Sequence, residues 1–204
     1  MNASNGYSKH STAEDVTEGL DLSGQVALVT GCTNGIGVET MRVLALRGAR
    51  VLATGRTVEK VEKACRSMRG HITPLALELT DLNSVNRCAA TIKERDLCPD
   101  IVILNAGRDH SGKLELVSGV EAVFFANFLG HFVLINNLLP LMLIRNSGRI
   151  VHVASNSAYK EDKAPPQRAS TLRTCEVRGF TTRRTHMADR NWPMRCLPLS
   201  FQID

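Results

Sequence analysis

Between an apolar run and a helical pattern stands Thr30-Gly31-Cys32-Thr33-Asn34-Gly35-Ile36-Gly37, and no other segment narrows the fold as much. The preceding Val26 to Val29 reads as a short buried strand. The following VETMRVLALRG carries apolar residues at helical spacing and ends on glycine. Glycines cost backbone entropy without contributing packing, so three in a strand-to-helix turn imply backbone conformations or approaches that a Cβ would forbid. In this context such a turn presents free N–H groups and a helix N-terminus to a phosphate. The competing reading is a glycine-rich turn that binds nothing.

The pattern then repeats. RVLATGR supplies a second strand, VEKVEKACRSMRG a surface helix, ITPLALEL a third strand, and DLNSVNRCAATIKER a helix opened by Asp81 or Asn83. PDIVILNAG is a fourth strand, VEAVFFANFLGHFVLINNLLPLMLIRN a long apolar segment, and GRIVHVAS a fifth strand. Val/Ile/Leu-rich strands alternating with helices predict an α/β fold. The expected form is a Rossmann-like doubly wound parallel sheet with helices on both faces, incomplete at its C-terminus.

The 204 residues suit one domain of ordinary size, and 43% hydrophobic content gives it a core. The domain is expected over residues 22–159, after a flexible polar lead at 1–21 with at most a weak helical turn. An irregular basic tail is expected at 160–204. Residues 1–159 hold 16 Lys and Arg against 15 Asp and Glu, whereas 160–204 hold 9 against 5, so most of the +5 net charge lies in the tail. Its arginines lack aromatic interleaving or helical spacing, which argues against a nucleic-acid partner. No run reaches the roughly 18 consecutive apolar residues of a bilayer span, so no membrane span is expected. Six scattered cysteines without CxxC spacing or a secretory segment fit free thiols in a reducing compartment, with a cytoplasmic location as the default. No Cys/His cluster suggests a metal site.

Several single residues add chemistry. Where the second strand ends, an NAD binder would usually place an acidic group, and Arg56 stands there instead. A guanidinium there pairs with a 2'-phosphate and favours NADP over NAD; otherwise Arg56 is a solvated residue beside a helix cap. Glu78 and Asp81 bracket the third strand's end, where one touches an adenine or both only open the next helix. Asn105-Ala106-Gly107 puts small residues where a nicotinamide ribose would need the backbone close. Asn127, in an apolar helix, is either a structural bridge or a water relay. His131, four residues on, reads as a packed or solvent-edge histidine. Ser155 either donates to a substrate carbonyl or merely caps a strand.

Together these residues resemble the short-chain dehydrogenase/reductases, in particular their retinol-dehydrogenase-like and WW-domain-oxidoreductase-like branch. The matches are TGxxxGIG at 30–37, NAG at 105–107, ANFLGHF at 126–132 and RIVHVAS at 149–155, within residues 22–159. The resemblance implies hydride transfer between NADP(H), or NAD(H) as second choice, and a small alcohol or carbonyl substrate. It implies cofactor binding by Thr30, Gly31, Thr33, Asn34, Gly35, Ile36, Gly37, Arg56, Glu78, Asn105, Ala106 and Gly107. Asn127 and Ser155 would be catalytic, and a Tyr/Lys pair in YxxxK would complete the set.

The chain departs from the family at that pair. Tyr159 and Lys163 spell YxxxK only 4 residues after Ser155, whereas the family places it much further downstream on a helix. Pro165 and Pro166 stop a helix continuing from Lys163. The spacing makes this a chance match and predicts little or no activity. The alternative is a non-enzymatic dinucleotide-binding regulatory or interaction protein.

The tail offers a reason. Residues 185–194, THMADRNWPM, can be back-translated as ACG CAT ATG GCC GAT CGA AAT TGG CCA ATG. Read from its third nucleotide, that string encodes Ala-Tyr-Gly-Arg-Ser-Lys-Leu-Ala-Asn, the missing YxxxK with the flanks this branch uses. A frameshift between Ser157 and Thr185 is therefore expected.

Overall fold

The computed structural model describes residues 6–8, 10–109, 114–144, 148–154 and, as backbone, 197–203. Its elements run α1 (Ala13–Val16), β1 (Val26–Val29), α2 (Gly35–Leu46), β2 (Arg50–Gly55), α3 (Val58–Cys65), β3 (His71–Ala76), α4 (Leu82–Glu94) and β4 (Ile101–Leu104). A hairpin follows, β5 (Leu116–Val117) and β6 (Val120–Glu121), then α5 (Ala122–Phe124), a π-turn at Phe125–Leu129, α6 (Gly130–Ile144), β7 (Gly148–Ala154) and β8 (Leu197–Ile203).

The main sheet has the order β3-β2-β1-β4-β7-β8, its first five strands parallel. β1 pairs Val29 with Ala53 on one side and with Ile103 on the other. The strand order therefore reverses between β1 and β4, and in doubly wound sheets ligands bind at the strand C-termini flanking that reversal. The expected α/β doubly wound fold is the observed one.

Alternation along the strands builds two apolar layers. Ala27, Val29, Val51 and Ala53 face Met41 and Ala45 of α2 and Val61 of α3. Leu28, Leu52, Val102 and Leu104 face Val85 and Ile92 of α4 and Leu134, Leu138 and Met142 of α6. Each fully buried leucine contributes about 1.5–3 kcal/mol. The residues on the α2 side are mostly small, which brings the start of that helix close to the sheet. Thr57 caps α3 by accepting from Lys60 N at 3.4 Å, and Asp81 caps α4 by accepting from Asn83 N at 2.9 Å.

Two segments outside residues 22–159 carry structure of their own. The polar lead is docked: α1 is closed by a Thr12/Asp15 capping box, and Arg47 reaches back to the Glu14 carbonyl at 2.8 Å and the Thr17 hydroxyl at 3.1 Å. Within the tail, β8 pairs antiparallel with β7 from Gly148↔Ile203 to Ala154↔Leu197. Its sequence, LPLSFQI, alternates apolar residues with proline or polar ones over seven positions, a strand period that the arginine-rich surroundings obscure. The rest of the tail lies outside the described residues.

Residues Ala122–Ile144 form one continuous helical run long and apolar enough to cross a membrane by length and composition. In the fold one face of this run is committed to the sheet through Leu134, Leu138 and Met142, and the other exposes Phe124, Phe128 and Phe132 as a stacked row. Core burial accounts for the apolar residues of the first face only.

Candidate functional site

The glycine turn is assembled by hydrogen bonds from three strands. Leaving β1, Thr30 donates its N–H to Ile103 O at 3.0 Å, and Cys32 donates its own to Thr54 O at 2.8 Å. Asn105, just past β4, sends its side-chain amide to the Thr30 carbonyl at 3.0 Å and the Gly31 carbonyl at 3.4 Å. The buried Thr30 hydroxyl accepts the backbone N–H groups of Asn105 at 3.0 Å and Ala106 at 2.9 Å. The sequence-expected Thr30-Gly31 and Asn105-Ala106 segments thus form one unit at the strand reversal.

Glycine is required here on steric grounds. Gly31 has φ +77°, and a Cβ would stand 2.8 Å from Ala106 Cα. At Gly37 a Cβ would meet Gly31 O at 2.2 Å and Asn105 Nδ2 at 2.6 Å. Gly35, with φ +58°, has open space where its Cβ would be. Asn34, Gly35 and Ile36 are exposed, and Asn34 makes no side-chain cap bond to α2. The first turn of a twelve-residue helix therefore presents its N–H groups to open space at the end of a packed glycine cradle.

At the β2 end, a Cβ on Gly55 would lie 2.6 Å from Thr33 Cγ2, so Thr33 packs onto this strand and Arg56 follows beside the turn. Arg56 is exposed, and among the described residues no carboxylate pairs with it. Glu78 and Asp81 divide their tasks. Glu78 accepts from the Thr80 N–H at 3.1 Å and its hydroxyl at 2.7 Å, bracing the turn, while Asp81 opens α4.

Asn127 sits in the π-turn and bonds at both ends of its amide to Arg108: Oδ1 accepts from the backbone N–H at 2.7 Å and Nδ2 donates to the carbonyl at 2.9 Å. The structural bridge between the helix and the segment after β4 is therefore real. Gly107 lies beside it, its would-be Cβ 3.9 Å from Asn127 Oδ1. The π-turn itself gave no sequence signal, since one extra residue leaves apolar composition unchanged.

His131 is the residue that sequence reasoning undervalued. It is 1% exposed, with Nε2 3.0 Å from the Thr30 hydroxyl and Nδ1 3.3 Å from the Asn127 carbonyl. Its ring meets His152 of β7 edge-on at 5.7 Å. Burial depresses its pKa to about 4, with the nearby His152 adding slightly in the same sense and the bond to Asn127 opposing it. The available signal was its i+4 spacing from Asn127 in an otherwise apolar helix. Ser155, Tyr159 and Lys163 lie outside the described residues.

Fold and turn together define a Rossmann-type dinucleotide-binding architecture. Residues 25–166 match the family model for short chain dehydrogenase, and the chain belongs to that family of oxidoreductases. It is 32% identical over 156 residues to the WW domain-containing oxidoreductase of Gallus gallus, covering 74% of this chain and 38% of that protein. It is 35% identical over 139 residues to retinol dehydrogenase 13 of Homo sapiens, covering 66% and 42%. Thus it spans less than half the length of either relative. Among solved structures, a metagenomic short-chain oxidoreductase in complex with NADP aligns at TM-score 0.57 and 29% identity, over 63% of this chain and 60% of that one.

Proposed function

We propose that the chain binds NADP(H) across the strand reversal, with NAD(H) as the weaker ligand, and that it has little or no hydride-transfer activity. The carrying observation is the open first turn of α2 beside the Gly31–Ala106 cradle. A pyrophosphate fits there because its charge meets unpaired N–H groups and the positive end of the helix. Gly31, Thr33, Asn34, Gly35, Ile36 and Gly37 would hold it, and Arg56 would pair with a 2'-phosphate. Glu78 would border the adenine side, and Asn105, Ala106 and Gly107 the nicotinamide ribose. When bound, the cofactor supplies or accepts a hydride at its nicotinamide ring.

Asn127 and Ser155 would serve an alcohol or carbonyl substrate of low molecular weight. General acid–base catalysis contributes about 10²- to 10⁴-fold, and Tyr159 stands too close to Ser155 in sequence to supply it from a following helix. That spacing also supports the second reading, a dinucleotide-binding regulatory or interaction protein.

The test is a fluorescence titration of the purified chain with NADPH and NADH, followed by turnover assays on aliphatic and retinoid-like carbonyls. Saturable binding, tighter for NADPH, with no turnover is expected. Turnover comparable to that of full-length relatives would overturn the reading of Tyr159, and failure to bind either nucleotide would overturn the cofactor assignment. Sequencing the coding DNA tests the frameshift, which is wrong if no one- or two-base change opens a frame past residue 204.

A further inference from the structure

We propose that His131 is a positioning residue for the dinucleotide site, its Nδ1-protonated ring fixing the Thr30 hydroxyl and the Asn127 carbonyl at once. A hydroxyl has one hydrogen and two lone pairs. Both lone pairs of Thr30 are taken by the Asn105 and Ala106 N–H groups, at 3.0 and 2.9 Å, the Asn105 N–H being shared with Ile103 O at 3.1 Å. Its hydrogen must therefore go to an acceptor, and His131 Nε2 lies 3.0 Å away. Nε2 is then unprotonated, so the ring's proton sits on Nδ1 and is donated to the Asn127 carbonyl at 3.3 Å. Each partner determines the next, and the tautomer follows without choice.

This chain of bonds ties Asn127 of the helix to two segments that the β1–β4 pairing already brings side by side. Thr30 begins the glycine turn, Asn105 and Ala106 form the floor opposite it, and Asn127 holds the segment at Arg108 through its side chain. With Thr30 fully buried, loss of the His131 acceptor leaves its hydrogen without a partner. The hydroxyl would then rotate toward other acceptors and release one or both amides, loosening the contact between Gly31 and Ala106. The inference rests on the cofactor reading above for its effect on affinity, but the hydrogen-bond chain itself needs no ligand.

Two measurements test it on the full chain. The first uses the unmutated protein labelled with ¹⁵N on histidine, at pH 7 and without nucleotide. A neutral ring protonated on Nδ1 is expected for His131. A ring protonated on Nε2, or one averaging between tautomers, overturns the proposal whatever the protein binds.

The second compares His131→Leu with His131→Gln, whose amide oxygen can replace Nε2 as acceptor. Backbone hydrogen exchange at Ala106 should speed up about tenfold or more in His131→Leu, and less at Asn105, whose N–H keeps Ile103 O as a second acceptor, with substantial recovery in His131→Gln, and NADPH affinity should follow the same order. Exchange at Ala106 unchanged in His131→Leu, or equally fast in both variants, overturns the positioning role. If the unmutated chain shows the expected tautomer and exchange pattern yet binds no NADPH, the cofactor reading fails and the positioning of Asn105 and Ala106 stands.

Discussion

Gly31 and Ala106 touch backbone to backbone: a Cβ on Gly31 would lie 2.8 Å from Ala106 Cα, with the Ala106 Cβ at 3.0 Å and its nitrogen at 3.2 Å. The loop after β1 and the loop after β4 are thereby held in direct contact at the strand reversal. Because the opposing atoms include backbone, neither can swing aside as a long side chain could.

Gly31→Ala should therefore destabilise the protein by about 2–3 kcal/mol, combining the collision with the strain of a positive φ. Gly35→Ala is the control, since its φ is +58° but no atom lies within 4 Å of the added Cβ. It should cost about 1 kcal/mol, from backbone strain alone. Urea unfolding midpoints measure both, and equal losses would show that the Gly31–Ala106 contact contributes nothing.

Arg56 offers a test that leaves the fold alone, because its side chain is exposed. Arg56→Gln should weaken NADPH binding by about tenfold while changing NADH affinity by less than about twofold, the difference expected for losing one charge-assisted pair. Parallel titrations read this directly. Equal weakening of both nucleotides would place Arg56 away from the 2'-phosphate.

How far the sequence alone revealed this arrangement depended on whether a feature was local. The β1–turn–α2 unit was legible because glycine spacing, strand burial and helix period all fall within about twenty residues and agree. Asn105 and Ala106 were legible as small residues at a strand end, although their bonds to Thr30 span 75 and 76 positions. The π-turn was not, since it alters the helix by a single residue without altering composition. His131 was legible as a packed or solvent-edge histidine but not as a bridge, because a lone histidine in an apolar helix looks the same whether it packs passively or joins two loops; only the approach of Thr30, 101 residues earlier, distinguishes the cases. In the tail, the alternation in Leu197–Ile203 was present but short, and one strand's worth of period 2 carries little weight beside a longer stretch without any.

The cysteines report on burial. Cys32 and Cys88 are enclosed, and burial pushes both thiols up to about 12. At pH 8 only about one in ten thousand of such thiols is ionised, and the thiolate is the reactive form. Both should resist iodoacetamide in the native protein and label fully in urea, while the partly exposed Cys65, with its pKa raised less far, should label slowly without denaturant. Peptide mass mapping before and after denaturation checks this, and rapid native labelling of Cys32 would mean that the glycine turn opens readily.

Acid sensitivity should carry the signature of His131. Its pKa falls from 6.5 to about 4 on folding, because burial penalises the charged ring. Between those values the unfolded chain binds a proton that the folded chain does not, so acid favours unfolding. The His131 contribution is therefore fully present above pH 6.5, declines as pH drops toward 4, and is exhausted below. The full shift corresponds to about 3 kcal/mol. His152, also depressed by burial, acts in the same direction. The lowered carboxylates Asp15, Asp21, Glu39 and Glu59 begin to lose their contribution only near their ordinary pKa values and below, so the range from pH 6.5 to 5 isolates the histidines. Urea midpoints across that range should fall steadily in the natural sequence and much less in His131→Gln, which has no proton to gain there. An equal decline in both proteins would assign the acid sensitivity to His152 or another group and show that His131 is protonated as readily folded as unfolded.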